Sequence, residues 1–248
     1  MITVADIVAL MQEKAPFENA EPWDNSGLLV GDESALVSTV LVSLDITEET
    51  VAQAVAANAQ LMVCHHPVIF DPLRSLPSSH LVYQLAQHKI AALCVHTNLD
   101  KAVEGVNDRL AQQLGLKQVT VAADGMSRIG RLPTVMTAET FGRHVSASLG
   151  TAVRLKNGTS PIQTVAVCGG AGAELVLPLL RKADAAVTGE VKHHEWLAVS
   201  ADKTLADGGH FATENAVTDT LVRWLSQAFP TLTVCLGAQT PPYETIKD

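Results

Sequence analysis

Apolar residues recur along this chain in two rhythms: a spacing of three to four that marks helices, and short unbroken runs that mark buried strands. The first helical stretch runs from Val4 to about Ala15. It places Val4, Ile7, Val8 and Met11 on one face, with Thr3 and Asp6 spaced as a capping box at its start. Trp23-Asp24-Asn25-Ser26-Gly27 is turn chemistry leading into Leu28-Leu29-Val30. The pattern then predicts a strand over Val40–Leu44, a helix from Glu48 to about Ala57, and a strand over Gln60–Cys64. A helix over Leu81–His88 and a strand over Ile90–Val95 follow. Helices alternating with short apolar strands predict an α/β fold.

Part of this layout returns in the second half. Val165–Gly169 reads as a strand ending in glycines, Glu174–Lys182 as a helix and Ala185–Val187 as the next strand. One constant offset sets Leu41 on Val165, Ala59 on Ala183, and His65-His66 on Gly189-Glu190. We therefore expect two related α/β lobes facing one another, residues 1–124 and 125–248, with the break at Asp124-Gly125. Chance likeness between α/β units is the alternative. A final helix (Glu214–Phe229) and strand (Leu232–Leu236), within a segment from about 205 to 248, could return to the first lobe.

A composition of 47% hydrophobic and 17% charged residues is that of a well-packed globular protein. No run reaches the roughly 20 apolar residues of a membrane span, and Asp6 stands where a secretory signal would be basic. Cys64, Cys94, Cys168 and Cys235 form no CxxC pair, so buried free thiols and a cytoplasmic location are expected. The net charge of −9 and the lack of a Lys/Arg cluster argue against a nucleic-acid partner.

Three segments offer metal ligands. His65-His66 closes an apolar run; adjacent side chains on an extended strand point to opposite sides, so each histidine would serve a different ion. His96-Thr97-Asn98-Leu99-Asp100 also follows an apolar strand. His210 and Glu214 stand four apart, on one face if the helix reaches back to His210, or on a tight turn if Thr213 is the N-cap. Imidazole with carboxylate suits zinc, iron or manganese, and a pair of such ions activates water. A structural role for each residue taken alone is the competing reading. Gly169-Gly170-Ala171-Gly172 reads either as an anion-binding loop or as a tight strand-to-helix turn. Glu190 and His194, in Thr188–Trp196, could act as general acid or base or orient a substrate. No G-x-S-x-G elbow is present.

In order, W-D-N-S-G-L (23–28), D-I-T (45–47), H-H-P (65–67), H-T-N-L-D (96–100), G-V-N-D (105–108), C-G-G-x-G (168–172), T-G-E-x-K-x-H (188–194) and G-H-x-x-T-E (209–214) make the chain resemble the NIF-three-like family. This family is also called domain of unknown function 34, and its members carry the name GTP cyclohydrolase 1 type 2 homolog. The resemblance implies a two-lobed fold around a dinuclear metal centre, with His65, His66, Asp100, His210 and Glu214 as ligands, and a homo-hexameric ring. Family members often have Asp where this chain has Glu190.

Two functions compete. One is a hydrolase holding two divalent ions per subunit and acting on a small anionic substrate, nucleotide- or pterin-like, with Glu190, His96 or His194 moving protons. The other is a non-catalytic metal-binding, regulatory or scaffold protein.

Overall fold

The computed structural model describes residues 1–244. It is a mixed α/β fold, and Cα packing divides it into two compact units. The first unit comprises Met1–Val103 with Val217–Thr240; the second comprises Glu104–Ala216 with residues 241–244.

β1 (Ile2–Thr3) leads into α1 (Val4–Lys14). Thr3 caps this helix: its hydroxyl accepts from the Asp6 amide at 3.3 Å, and the Asp6 carboxylate accepts from the Thr3 amide at 2.8 Å. Val4, Ile7 and Met11 turn inward. The first unit continues through β2 (Gly27–Val30), β3 (Leu36–Val37), β4 (Thr39–Ser43), α2 (Glu48–Ala56), β5 (Leu61–Cys64), α3 (Leu81–Gln87), β6 (Ala91–Cys94) and α4 (Thr97–Lys101).

The chain then builds the second unit from α5 (Val106–Gln113), β7 (Lys117–Val121), β8 (Arg128–Met136), α6 (Ala138–Leu149), β9 (Arg154–Lys156) and β10 (Ile162–Val167). It proceeds through α7 (Ala173–Leu179), β11 (Ala185–Thr188), α8 (His193–Ala198), β12 (Thr204–Asp207) and α9 (His210–Glu214). Finally α10 (Val217–Ala228) and β13 (Thr233–Leu236) return to the first unit, where β13 runs parallel to β4. The Asp124-Gly125 turn, where the sequence suggested a break, closes the β7–β8 hairpin inside the second unit. Asp124 Oδ1 accepts there from the Met126 and Ser127 amides.

The two main sheets share a plan. In the first, ordered β13-β4-β5-β6-β2, the strands β4, β5 and β6 are parallel and β2 lies antiparallel beside β6. In the second, ordered β7-β8-β10-β11-β12-β9, the strands β10, β11 and β12 are parallel and β9 lies antiparallel beside β12. The strand ends keep the offset read from the sequence through two strands, Ser43 against Val167 and Cys64 against Thr188. It fails at the third because the segment between His66 and α3 is longer than its counterpart. In both units a five-residue helix begins three residues past the third strand, at Thr97 after Cys94 and at His210 after Asp207.

Each sheet is buried by its own core. Met62, Cys64, Leu85, Ala92 and Cys94 pack with Leu41 and Val51 in the first unit. Phe141, Val145, Leu110 and Leu114 cover one face of the second sheet, and Val176, Leu180, Ala183 and Val191 cover the other. The continuous apolar runs of the central strands follow from this burial on both faces. One expectation is corrected. The predicted helix over Glu214–Phe229 is two helices, and Glu214 ends the first rather than beginning the second. The Asn215 amide closes α9 onto Phe211 O at 2.8 Å, and α10 starts afresh at Val217.

Candidate metal centre

The first unit gathers three imidazoles at the carboxyl ends of its parallel strands, where ligands bind in sheets of this kind. His65 and His66 follow β5, and His96 follows β6. The two adjacent histidines do not splay to opposite faces as an extended strand would require. Both amides donate to the single carbonyl of Leu44, at 3.1 and 3.0 Å, so the chain has left the strand and bends. The bend sets the two ring centroids 4.8 Å apart, with the His96 ring 5.2 and 5.6 Å from them. One potential ligand atom from each of the three lies within 4.8 Å of the others.

Each ring is held through Nδ1. His65 Nδ1 donates to Val95 O at 2.9 Å, His66 Nδ1 lies 2.7 Å from Asp45 Oδ1, and His96 Nδ1 lies 2.7 Å from Asp24 Oδ1. An acceptor at Nδ1 fixes the tautomer that keeps the lone pair on Nε2, the arrangement found behind metal-ligating histidines. Burial works to raise the Asp24 carboxyl. Hydrogen bonds from His96, Thr97 and Ser26 outweigh it and hold the group below the usual carboxylate range. Asp100, on α4, places Oδ1 3.7 Å from His65 Nε2.

In the second unit, α9 reaches back to His210, so His210 and Glu214 share a helix face. His210 Nε2 lies 3.0 Å from the buried Glu214 Oε2, and its Nδ1 lies 2.7 Å from Glu190 Oε1. Glu190 follows β11 and thus stands to His210 as Asp45 stands to His66. Gly169, Gly170 and Gly189 make room for this helix. A Cβ at Gly170 would meet Glu214 Oε1 at 2.0 Å, one at Gly189 would meet His210 Cα at 2.8 Å, and one at Gly169 would meet Glu214 Cγ at 3.1 Å. Two of the loop amides are spent, Gly169 N on Asn107 Oδ1 at 2.8 Å and Gly170 N on Thr213 Oγ1 at 3.1 Å. The loop makes a tight strand-to-helix turn, and its glycines and Thr213 serve the placement of α9.

Two predicted residues sit differently. His96 joins the imidazole cluster. His194 is exposed on α8 and lines a groove with Glu174 and Arg181, a different depression from the one lined by Glu190 and His210. Asp24 and Asp45 were missed as orienting acids, although both lie in motifs read from the sequence; their signal is an acid in the turns bordering an apolar strand. The cysteines are all free thiols, three of them buried. Burial, and then Cys64 beside it, pushes the Cys94 thiol up, which keeps it protonated. Histidine and carboxylate therefore make up the donor set in both units, and the tautomers fit divalent-metal ligation. Among the described residues no helix is long and apolar enough to cross a membrane.

The sequence profile of the Duf34/NIF3 (NGG1p interacting factor 3) family matches residues 2–242. A protein of Lactococcus lactis subsp. lactis (strain IL1403) named GTP cyclohydrolase 1 type 2 homolog is 35% identical over 221 residues, which cover 84% of this chain and 86% of that protein. A protein of the same name from Staphylococcus aureus (strain MRSA252) is 36% identical over 142 residues, which cover 56% of this chain and only 39% of that longer protein. The crystal structure of a Staphylococcus aureus hypothetical protein superposes with a TM-score of 0.90 at 28% identity, covering 98% of this chain and 99% of that one.

Proposed function

This chain belongs to the Duf34/NIF3 family, and from that premise we propose that it is a metal-dependent hydrolase of a small anionic, nucleotide- or pterin-like molecule. The residues proposed to hold divalent ions are His65, His66, Asp100, His210 and Glu214. The observation that carries this reading is the shared setting of the histidines. His66 and His210 each have Nδ1 tied to an acid and His65 has it tied to a carbonyl, which poises Nε2 to ligate. Bound ions of this kind polarise the substrate and lower the pKa of water, which favours hydrolysis near neutral pH.

The chain's own residues supply the rest. His96, backed by the buried Asp24, accepts a proton on Nε2, and Asp24 stabilises the imidazolium that forms. Glu190 steadies His210 and stands exposed enough to exchange protons with solvent. Zinc, iron and manganese all suit the donors. On family grounds the assembly is a homo-hexamer, which sedimentation velocity reads directly.

The test is to load the purified protein with each metal and screen nucleotides, phosphoesters and cyclic amides for turnover. Turnover that His65→Ala and Glu214→Gln abolish is the expected result. Tight metal binding with no turnover across the screen would instead support the non-catalytic reading.

A further inference from the structure

Beside the imidazole trio the surface of the first unit is aromatic. Trp23 is 59% exposed and Phe70 53%, yet their rings pack against each other with centroids 6.0 Å apart at 45°. Trp23 meets His96 edge-on, 6.1 Å away at 74°.

Both rings are carried on anchored backbone. Asp24 accepts from the Thr97 amide at 3.0 Å and from its hydroxyl at 2.5 Å, which fixes the chain immediately after Trp23. Asn25 Nδ2 donates to Ile69 O at 2.6 Å and ties the Trp23 turn to the segment carrying Phe70. Ser26 Oγ bonds Asn98 Oδ1 at 3.0 Å and docks the same turn on α4. Large aromatic faces held in water by rigid loops mark a binding surface. The platform is flanked by His96, a group able to transfer protons. An aromatic face binds another flat π-system sequence-tolerantly, by stacking.

We infer that Trp23 and Phe70 form a stacking platform for a flat heteroaromatic ring of the substrate, presenting the ring's edge to His96. This deepens the hydrolase reading and rests on it for the reaction at His96, though stacking itself is measurable without turnover. A pair of side-chain rings matches the face of one flat heteroaromatic ring, so the proposed occupant is a small molecule.

The test uses the metal-loaded protein and calorimetric titration with AMP, GMP and neopterin, with ribose 5-phosphate as the ringless control. At least one ring ligand is expected to bind about tenfold or more tightly than ribose 5-phosphate. Trp23→Leu and Phe70→Leu should each remove about tenfold of that affinity and leave ribose 5-phosphate binding unchanged, while Trp23→Phe retains most of it. Ring ligands binding no better than the control would overturn the inference. So would variants that lose affinity equally for both, or variants that change oligomeric state with ring binding intact. Metal content measured on the same samples separates the two claims. Ring discrimination in a protein that binds no metal sinks the hydrolase reading alone, and full metal content without ring discrimination sinks the platform alone.

Discussion

Asp45 Oδ1 lies 2.7 Å from His66 Nδ1, and the same relation recurs between Asp24 and His96 and between Glu190 and His210. An acid at this position fixes the tautomer and makes the opposite nitrogen a better donor. Asp45→Asn is therefore expected to weaken divalent-metal affinity about ten- to a hundredfold. Competition with a metallochromic chelator measures it. Unfolding in urea should barely change, because the Asp45 side chain is about a third exposed.

Gly170 has φ +59 and stands where a Cβ would lie 2.0 Å from Glu214 Oε1. Gly170→Ala is expected to displace Glu214 and cost more than the roughly 1–2 kcal/mol of a left-handed backbone alone. Gly125→Ala supplies the comparison, since Gly125 has φ +77 and nothing within 4 Å of an added Cβ. Urea denaturation should show the smaller loss for Gly125→Ala, and only Gly170→Ala should also lower metal content.

Arg128 is 1% exposed, pairs with Asp108, and donates to Met126 O at 2.6 Å. Asp108→Ala removes the carboxylate opposite a buried charge and is expected to destabilise the fold by about 3 kcal/mol. Equilibrium unfolding followed by circular dichroism tests this. Metal binding should persist below the denaturation range.

The α1 cap carries a pH signature. The Thr3 amide, then its hydroxyl, lowers the Asp6 carboxyl from 3.8. Because the folded value is the lower one, this stabilisation is complete above about pH 4 and is lost as pH falls through the folded value. Thr3→Ala is expected to cost about 1 kcal/mol at neutral pH and less at about pH 2, as read by unfolding at the two pH values.

Much of this was legible in the sequence. Apolar runs ending in polar residues located β5, β6, β10 and β11 to within a few residues, and the capping box at Thr3 and Asp6 set the start of α1. The i, i+4 spacing of His210 and Glu214 anticipated their shared face. What local pattern could not show was tertiary. The bend after Cys64 arises because Leu44 O captures two successive amides; Pro67 marks the strand end but not the distant acceptor that makes the bend. The Asp124-Gly125 turn looked like a boundary because hairpins and linkers use the same residues. The glycine loop at 169–172 kept two readings open because the acceptors of its first two amides, Asn107 and Thr213, lie far away in sequence.

The central claim is that these histidines and carboxylates are metal ligands, and plasma mass spectrometry of metal bound per chain tests it most directly. After loading with zinc or manganese and exhaustive dialysis, we predict about two ions per wild-type chain, with occupancy falling in both His65→Ala and Glu214→Gln, since a two-metal centre needs its full donor set. Wild-type protein that retains no metal, or variants that retain as much as wild type, would contradict it.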